Sequence, residues 1–409
     1  MRRQTLTVAA IGMLVLGVAP QAGAATGPMA FEPISGSAYD QVTADWTDPF
    51  AIPENCTQTM VSDETVLDIY GGGVDDLTDM NTVNETGRHA GRYLYRTHEV
   101  RTNGSLSVVD LGTGETSVLV QDAGYRNLDG LTWTPWGTLL FAEETVGGRL
   151  FEVFLDPKDP TVATSVVARP KLGIMRHEGI GVAPDGSVYV IDEFNGGAIY
   201  QFVPTRRGDL SDGQLYALKL TDLTDAEQAW DPATYGDKVG AFEWVALDMS
   251  FVTTDAKAAA DAVNATEFGR PEDVQIISNV LYVANTSEDR VVAIDLKTNE
   301  LTSFVQAGAN VPVEDEAAGV TGFNSPDNLA MGTGGQLWIV EDNTPSDIWV
   351  ARDSDNDGVA DDVELFASLK DPGAEGTGIY FGRDPHTIYV NVQHATKALA
   401  DGTWAITCR

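Results

Sequence analysis

The stretch GRPEDV (269–274) places a cation and two carboxylates beside a predicted strand. Glu272 and Asp273 offer the oxygen ligands that hard divalent cations prefer, and Arg270 stands beside them. If one fold gathers further carboxylates here, bound cations must neutralise their mutual repulsion. The pattern predicts a metal site, and the alternative is a set of solvated turn acids. Other carboxylates at the ends of predicted strands or in the loops entering them are Glu143, Glu144, Glu178, Asp192, Glu193, Asp327, Glu341, Asp342 and Glu375.

A second candidate calcium site lies in the stretch DSDNDGVADDVE (353–364). It matches the EF-hand loop, which has acids at positions one, three, five, nine and twelve and a glycine at six for the sharp turn. The preceding segment SDIWVA is typical of a strand, so we expect a stabilising calcium loop between two strands. The alternative is an acidic hairpin turn without an ion. The predicted ligands are Asp353, Asp355, Asp357, Asp361 and Glu364.

The elements that must position these residues recur along the chain. A turn rich in Gly, Asn or Asp leads into a short apolar strand that ends in a polar or acidic residue, and a second turn and strand follow. Strand pairs repeated every ~40–50 residues indicate an all-β fold, a β-propeller of about six blades. A twisted β-sandwich is the alternative. The copies begin at residues 91, 136, 185, 278, 334 and 384.

The sequence divides into a leader, an arm and one large domain. Residues 1–24 have the charged start, short apolar run and small-residue cleavage site of an export signal, for the Sec or the twin-arginine route. Residues 25–75 are rich in Pro, Thr, Asp and Gly and predict an N-terminal arm. Residues 76–409 are the predicted propeller domain, with a partly helical insertion at about 205–268 that contains an Ala-rich, helix-favouring segment.

Charge and cysteine content restrict the compartment and the partners. The 409 residues carry a formal net charge of −36, which repels nucleic acid and anionic membranes. The two cysteines, Cys56 and Cys408, most simply form one disulfide in an oxidising compartment. We expect a monomer exported to the periplasm or the outside of the cell, which acts on a small molecule and binds neither nucleic acid nor membrane.

Four segments resemble the PhoX-type alkaline phosphatases, which are exported, metal-dependent propeller enzymes that hydrolyse phosphate monoesters. The order and spacing of the segments match the family over about residues 90 to 400. The segments are TPWGTLLFAEE (134–144), MRHEGIGVAPDGSVYVIDEFNGGAIYQFVP (175–204), GRPEDV (269–274), and SPDNLAMGTGGQLWIVED (325–342) with AEGTG (374–378) and NVQHA (391–395).

This resemblance implies a cluster of iron and calcium at the channel mouth. It implies that Arg270 binds the substrate phosphate, and the alternative for Arg270 is an ion pair with a neighbouring acid. His394 would contact the leaving group or the phosphate, or else be a structural blade residue. His177 would orient the loop that carries Glu178. The implied metal ligands are Glu144, Glu178 and Glu272, followed by Glu143, Asp273 and Glu375.

One feature of the family is missing. The family places a cysteine that bridges two irons after an asparagine, shortly before the Thr-Pro-Trp segment. Here Asn127 is followed by Leu128 and Asp129 in the stretch YRNLDGLTWTPW. Asp129 could supply an oxygen ligand instead, which would shift the preference from iron toward calcium.

The leading interpretation is an exported phosphatase that hydrolyses phosphate monoesters, with bound metal polarising the phosphoryl oxygens. A calcium-dependent lactonase or esterase propeller is one alternative, and it needs a metal and a general base but no phosphate clamp. A non-catalytic, calcium-stabilised binding propeller is the other, and the missing cysteine favours it.

Overall fold

The computed structural model describes residues 27–39 and 46–409, so the predicted leader (1–24) lies outside the described residues. The described chain forms six sets of four antiparallel strands. The innermost strands of neighbouring sets contact one another, and the last contacts the first, so the six sets close into a ring. The structure therefore confirms the predicted β-propeller.

The first half of the ring is built from consecutive strands. Before the first blade come β1 (Phe50–Ala51) and β2 (Cys56–Asp63). Blade 1 consists of β3 (Thr78–Val83), β4 (Tyr93–His98), β5 (Ser105–Asp110) and β6 (Thr116–Gln121). Blade 2 consists of β7 (Leu128–Trp133), β8 (Leu139–Glu143), β9 (Leu150–Asp156) and β10 (Asp159–Ala168). The strands of blade 3, with β13 as a short side strand, are β11 (His177–Val182), β12 (Val188–Asp192), β13 (Asn195–Gly197), β14 (Ile199–Arg206) and β15 (Asp209–Leu220).

The second half repeats the arrangement after two connecting strands, β16 (Gly240–Ala246) and β17 (Phe268–Gly269). Blade 4 consists of β18 (Pro271–Ile277), β19 (Val280–Asn285), β20 (Arg290–Asp295) and β21 (Glu300–Gln306). Blade 5 consists of β22 (Pro326–Met331), β23 (Leu337–Glu341), β24 (Asp347–Arg352) and β25 (Asp362–Leu369). Blade 6 consists of β2 and of β26 (Glu375–Phe381), β27 (Thr387–Gln393) and β28 (Gly402–Cys408).

The apolar segments form strands because each blade packs against two neighbours. Successive side chains of a strand point to opposite faces, so one strand contributes to two cores. In β8, Leu139 and Phe141 lie in the core between blades 1 and 2, whereas Leu140 and Ala142 lie in the core between blades 2 and 3. All four are fully buried. A continuous apolar run is therefore the expected sequence of an inner blade strand.

The arm predicted at residues 25–75 supplies the outer strand of blade 6. The strand β2 pairs antiparallel with β28, and Cys56 lies opposite Cys408. The two residues form a disulfide, as predicted from the cysteine count. Hydrogen bonds and a covalent bond thus join the first and last strands of the ring.

Removing this disulfide is expected to destabilise the propeller strongly. The bond closes a loop of 352 residues, and closing a loop of this size contributes about 6 kcal/mol in the chain-entropy model. The variant with Cys56→Ser and Cys408→Ser should therefore lose about that much free energy of unfolding in urea denaturation. A titration that finds two free thiols in the unfolded, unreduced wild type would contradict the pairing.

The predicted insertion is part strand and part helix. The strand β16 pairs with β15 of blade 3 and with β21 of blade 4, so it joins two blades into one sheet. Three short helices, α1 (Asp225–Gln228), α2 (Met249–Val252) and α3 (Ala256–Asp261), lie around it. The Ala-rich segment forms α3, which packs on the core between blades 2 and 3. Single 3-10 turns lie at Pro170–Leu172, Tyr235–Asp237, Thr286–Glu288 and Glu316–Ala318.

Glu64, the residue that follows β2, makes the stability of the fold dependent on pH. Its carboxyl is 3% exposed, one oxygen accepts a hydrogen bond of 2.6 Å from the Asp76 N–H, and the other has no partner among the described residues. Burial raises the pKa of Glu64 to about 7. A carboxyl whose pKa is raised on folding stabilises the fold below its unfolded pKa, and that stabilisation is lost as the pH rises through about 7.

Glu64→Gln is therefore expected to be more stable than the wild type at pH 8, on the order of 2 kcal/mol in the free energy of unfolding. At pH 5 the two proteins should differ little, because the wild-type carboxyl is then protonated in the fold. Urea denaturation at both pH values measures the difference, and equal stabilities at pH 8 would rule out this origin of the pH dependence.

Within residues 27–39 and 46–409, no helix has the length and apolar character needed to cross a bilayer.

Candidate active site

Each inner strand of the propeller carries an acid at the same end. In the first five blades the acid is the second residue of the strand, and in blade 6 it is the first. A β-bulge interrupts the pairing at the acid in each of those five blades, and bulges turn side chains away from the regular pleat. The six acids are Asp79, Asp129, Glu178, Glu272, Asp327 and Glu375.

A second layer of acids comes from the residue after the second strand of a blade. Glu99 follows β4, Glu144 follows β8, Glu193 follows β12 and Asp342 follows β23. All except Glu193 line one cavity of about 200 Å³ together with the six strand acids. The remaining lining residues of this cavity are Arg270 and Gln393. Nine carboxylates, one guanidinium and one amide therefore surround a single space at the end of the central channel, and we call them the acid cluster.

The acid cluster fits hard cations. Carboxylate oxygens of Asp129, Glu144 and Glu178 lie within 4.8 Å of one another, and so do those of Glu178, Glu193 and Glu272. A buried oxygen of Asp129 has no hydrogen-bond partner in the described structure. Oxygen ligands at close range, with unsatisfied lone pairs, are the donor set of a calcium site.

The electrostatics of the acid cluster agree with this fit. Burial raises the pKa of Glu178 well above its usual value, and the neighbouring carboxylates of Asp129 and Glu144 raise it further. Burial is also the main reason that the pKa of Glu144 rises to about 7 and that of Glu193 to about 8. These carboxylates are costly to ionise together, and a bound cation would remove that cost.

Arg270 lies at the rim of the cluster in the stretch GRPEDV. Its Nε donates to Glu193 at 2.8 Å, its Nη2 lies 2.9 Å from Glu272, and the same atom lies 3.6 Å from Asp342. The ion pairs expected as the alternative for Arg270 are thus present, and the side chain also lines the cavity. Its φ of +47° is in the left-handed region, as it is at Asn127 and Ser325, the equivalent residues before β7 and β22.

The structure separates the predicted ligands into two groups. Glu144, Glu178, Glu272 and Glu375 line the cavity. Glu143 instead pairs with Arg149 at 2.7 Å. The remaining predicted ligand is Asp273, which is turned away from the acid cluster: its carboxylate accepts the N–H groups of residues 274 and 329 and lines another cavity of about 490 Å³.

The two histidines and the substituted cysteine position have distinct surroundings. His394 is exposed directly after β27, next to the cavity residue Gln393. The buried ring of His177 donates through Nε2 to the Gly173 carbonyl at 3.0 Å, so it braces the turn before Glu178. At the position where the resemblance places a cysteine, Asp129 faces the cavity, and it brings an oxygen ligand in place of a sulfur.

Sequence reasoning did not select Asp79, Glu99 or Arg176. The signal for Asp79 and Glu99 was available, because blade 1 repeats the placement of acids in the other blades. Arg176 precedes His177 in the stretch MRHEG, and its guanidinium contacts Glu144 and Glu193.

The predicted calcium loop lies between β24 and β25. Oxygens of Asp353, Asp355 and Asp357 lie within 4.8 Å of one another, and Asp353 accepts the Gly358 N–H at 3.0 Å. The predicted ligand Glu364 pairs with Arg352 instead, and Asp361 accepts the N–H of residue 354 at 2.7 Å. Three of the five predicted ligands are gathered at the loop.

Calcium is expected to raise the melting temperature partly through this loop. The double variant Asp353→Asn and Asp355→Asn removes two charged ligands, so it should lose part of the calcium-induced rise while keeping any hydrolytic activity, because the loop lies outside the acid cluster. Differential scanning calorimetry with calcium and with chelator measures the rise. A double variant with the full rise would show that the loop is an acidic turn without an ion.

Comparisons with solved structures identify the fold. The chain is similar to Pseudomonas fluorescens PhoX, solved with vanadate as a transition state analogue, with a TM-score of 0.65, 17% identity, and 94% of this chain and 98% of that chain covered. It is also similar to a gluconolactonase from Xanthomonas campestris, with a TM-score of 0.50, 14% identity, and coverage of 96% and 99%. A search of curated proteins found no match.

The comparison with protein families is more specific. The model of the family "Alkaline phosphatase PhoX" matches residues 147–396, which is more than half of the chain. This range contains Glu178, Arg270, Glu272 and Glu375 of the acid cluster. The chain therefore belongs to the PhoX alkaline phosphatase family.

Proposed function

We propose that this protein is an exported, metal-dependent phosphatase that hydrolyses phosphate monoesters in the propeller channel. The observation that carries the proposal is the acid cluster, in which nine carboxylates and Arg270 surround one cavity of about 200 Å³. Membership of an alkaline phosphatase family supports phosphate ester hydrolysis as the reaction.

The proposed cofactor is calcium, held by Asp129, Glu144, Glu178 and Glu272. Bound calcium would polarise the phosphoryl oxygens and lower the pKa of water. The ligand atoms of both carboxylate trios are oxygens, and carboxylate oxygens suit calcium, whereas thiolates select softer metals. The site lacks the iron-bridging cysteine, so we expect calcium to exceed iron in the purified protein.

The residues of the chain would bind and orient the phosphate. Arg270 uses Nε and Nη2 for its ion pairs, which leaves Nη1 to donate to a phosphate oxygen. The cavity is smaller than the ~300–1,000 Å³ typical of pockets for whole ligands, and its lining is charged and polar. We therefore expect the phosphate group to enter while the leaving group stays outside, so that esters with different leaving groups are accepted.

Other observations support the proposals on export and on partners. The disulfide between Cys56 and Cys408 is a bond that persists in oxidising compartments. A net charge of −36 disfavours nucleic acid and anionic membranes as partners. We propose a monomer that acts on small phosphate esters in the periplasm or outside the cell.

A panel of chromogenic esters tests the proposed reaction. Protein purified in folded form should release p-nitrophenol from p-nitrophenyl phosphate, far more slowly from bis-p-nitrophenyl phosphate, and not from p-nitrophenyl acetate. Chelator should stop the release and calcium should restore it. Hydrolysis of the acetate or of a lactone without phosphatase activity would favour the esterase alternative, and no hydrolysis of any ester would favour a binding propeller.

A further inference from the structure

We propose that Arg176 is a second guanidinium that binds the substrate phosphate, and that Glu193 is the positioning residue that holds Arg176 and Arg270 together. This inference rests on the proposed phosphatase function and adds a residue to its substrate site. It is carried by a chain of ion pairs along the rim of the acid cluster.

The ion pairs alternate in charge across three blades. Arg176 contacts Glu144 through Nη2, and its Nε lies 2.6 Å from Oε2 of Glu193. The other oxygen of Glu193, Oε1, accepts from Nε of Arg270 at 2.8 Å. Arg270 in turn lies 2.9 Å from Glu272. One carboxylate therefore bridges two guanidiniums, and each guanidinium also contacts a carboxylate that lines the cavity.

Backbone hydrogen bonds fix the same three residues. The Glu193 N–H donates to the Arg176 carbonyl at 2.9 Å, and the Arg270 N–H donates to the Phe194 carbonyl at 2.9 Å. The Arg176 guanidinium also lies over the Phe194 ring, 5.8 Å from its centroid. The turn after β12 thus fixes the position of Arg176, which precedes β11, relative to Arg270, which precedes β18.

Burial distinguishes the roles of the bridge and of the two arginines. Glu193 is fully buried, and each of its two carboxylate oxygens contacts one of the arginines. The side chains of Arg176 and Arg270 remain 33% and 36% exposed. A buried carboxylate that holds two half-exposed guanidiniums leaves their outer edges for an anion, and two planar N–H donors suit the oxygens of one phosphate.

A second cation at the rim would also reduce the electrostatic repulsion of an anionic substrate. A phosphate ester that approaches a protein of charge −36 meets repulsion, and one arginine surrounded by nine carboxylates provides little local positive charge. Arg176 doubles the fixed positive charge at the rim. The alternative is that Arg176 only neutralises Glu144 and Glu193 and never meets the substrate.

Phosphate binding separates these two roles. The experiment compares three calcium-loaded proteins: the wild type, Arg176→Ala and Arg176→Lys. Calorimetric titration with inorganic phosphate measures phosphate affinity, steady-state kinetics with p-nitrophenyl phosphate give KM and kcat, and metal analysis gives the calcium content. We expect Arg176→Ala to weaken phosphate binding and to raise KM at least about tenfold, with calcium retained. Arg176→Lys should recover part of the loss. The matched control is Arg149→Ala, which removes an arginine that pairs with Glu143 outside the acid cluster and should bind phosphate as wild type does.

The bridging role of Glu193 is tested by coupling. Glu193→Gln should weaken phosphate binding, and its effect should be smaller in the Arg176→Ala background, where only Arg270 is left for Glu193 to position, because residues that act as a unit are not additive. Additive effects would overturn the positioning role.

The results for Arg176→Ala, Arg176→Lys and the wild type decide whether Arg176 binds phosphate. If Arg176→Ala binds phosphate with the wild-type affinity, the inference is wrong while the phosphatase proposal stands. If Arg176→Ala loses calcium or does not fold, Arg176→Lys decides: wild-type phosphate affinity and KM in that variant would contradict a role for the planar guanidinium. A wild type that neither binds phosphate nor hydrolyses the ester would overturn both proposals.

Discussion

Replacing Glu178 with Gln is expected to remove bound metal from the acid cluster and to abolish ester hydrolysis. Glu178 belongs to both carboxylate trios at the end of the central channel, so this change removes a ligand from each. Changes outside the ligand set of a metal site typically cost about 10- to 100-fold in affinity or activity, and loss of a shared ligand should cost more. Mass spectrometry of the bound metal and the rate of p-nitrophenyl phosphate hydrolysis measure the two effects.

The stability of Glu178→Gln separates metal loss from misfolding. In chelator the variant should unfold at the same temperature as the wild type or higher, because a buried carboxyl that repels its neighbours has become neutral. With calcium it should gain less than the wild type. Glu143→Gln is the matched control, since Glu143 pairs with Arg149 and its loss should leave the metal in place. Full metal content and full rate in Glu178→Gln would refute a metal role for the cluster.

Arg270→Ala is expected to slow hydrolysis by about a hundredfold or more while the metal is retained. Removing a positioned charge that stabilises a transition state typically has an effect of this size. A guanidinium repels cations, so its loss should not release them, even though Arg270 contacts Glu272. Steady-state kinetics and metal analysis on the same preparation measure the separation of the two effects.

Two variants sharpen the test of Arg270. Arg270→Lys keeps the charge but loses the planar fork, so it should be intermediate in rate. Arg149→Ala removes another partly exposed, ion-paired arginine and should keep the wild-type rate. An Arg270→Ala variant with an unchanged rate would reduce Arg270 to the ion-pairing role that was its alternative.

The pairs of adjacent acids show what sequence patterns can and cannot predict. The sequence indicated both Glu143 and Glu144, and both Glu272 and Asp273, as ligands. Successive strand residues point to opposite sides, so a pair contributes one side chain to the channel. Glu144 and Glu272 line the cavity, whereas Glu143 and Asp273 turn to other partners. For Glu272 and Asp273 the choice lies at the bulge in β18, which no short motif encodes.

The blade repeat was readable because each strand pair has turn residues at its ends and an apolar run between them. The outer strand β2 was not readable in this way, because its sequence CTQTMVSD alternates weakly and lies far from β28. Only the predicted disulfide between Cys56 and Cys408 indicated that this segment lies beside the last strand. Arg176 was missed because its role depends on Glu193 and Arg270, which only the closed ring brings to it.

The most direct test of the central claim is a calcium titration of chelator-stripped protein, with bound calcium and the initial rate of p-nitrophenyl phosphate hydrolysis measured on the same samples. We predict that the stripped protein is inactive and that the rate rises with calcium occupancy of the acid cluster to a plateau. Full activity in the stripped protein, or filled calcium sites without hydrolysis, would contradict the account.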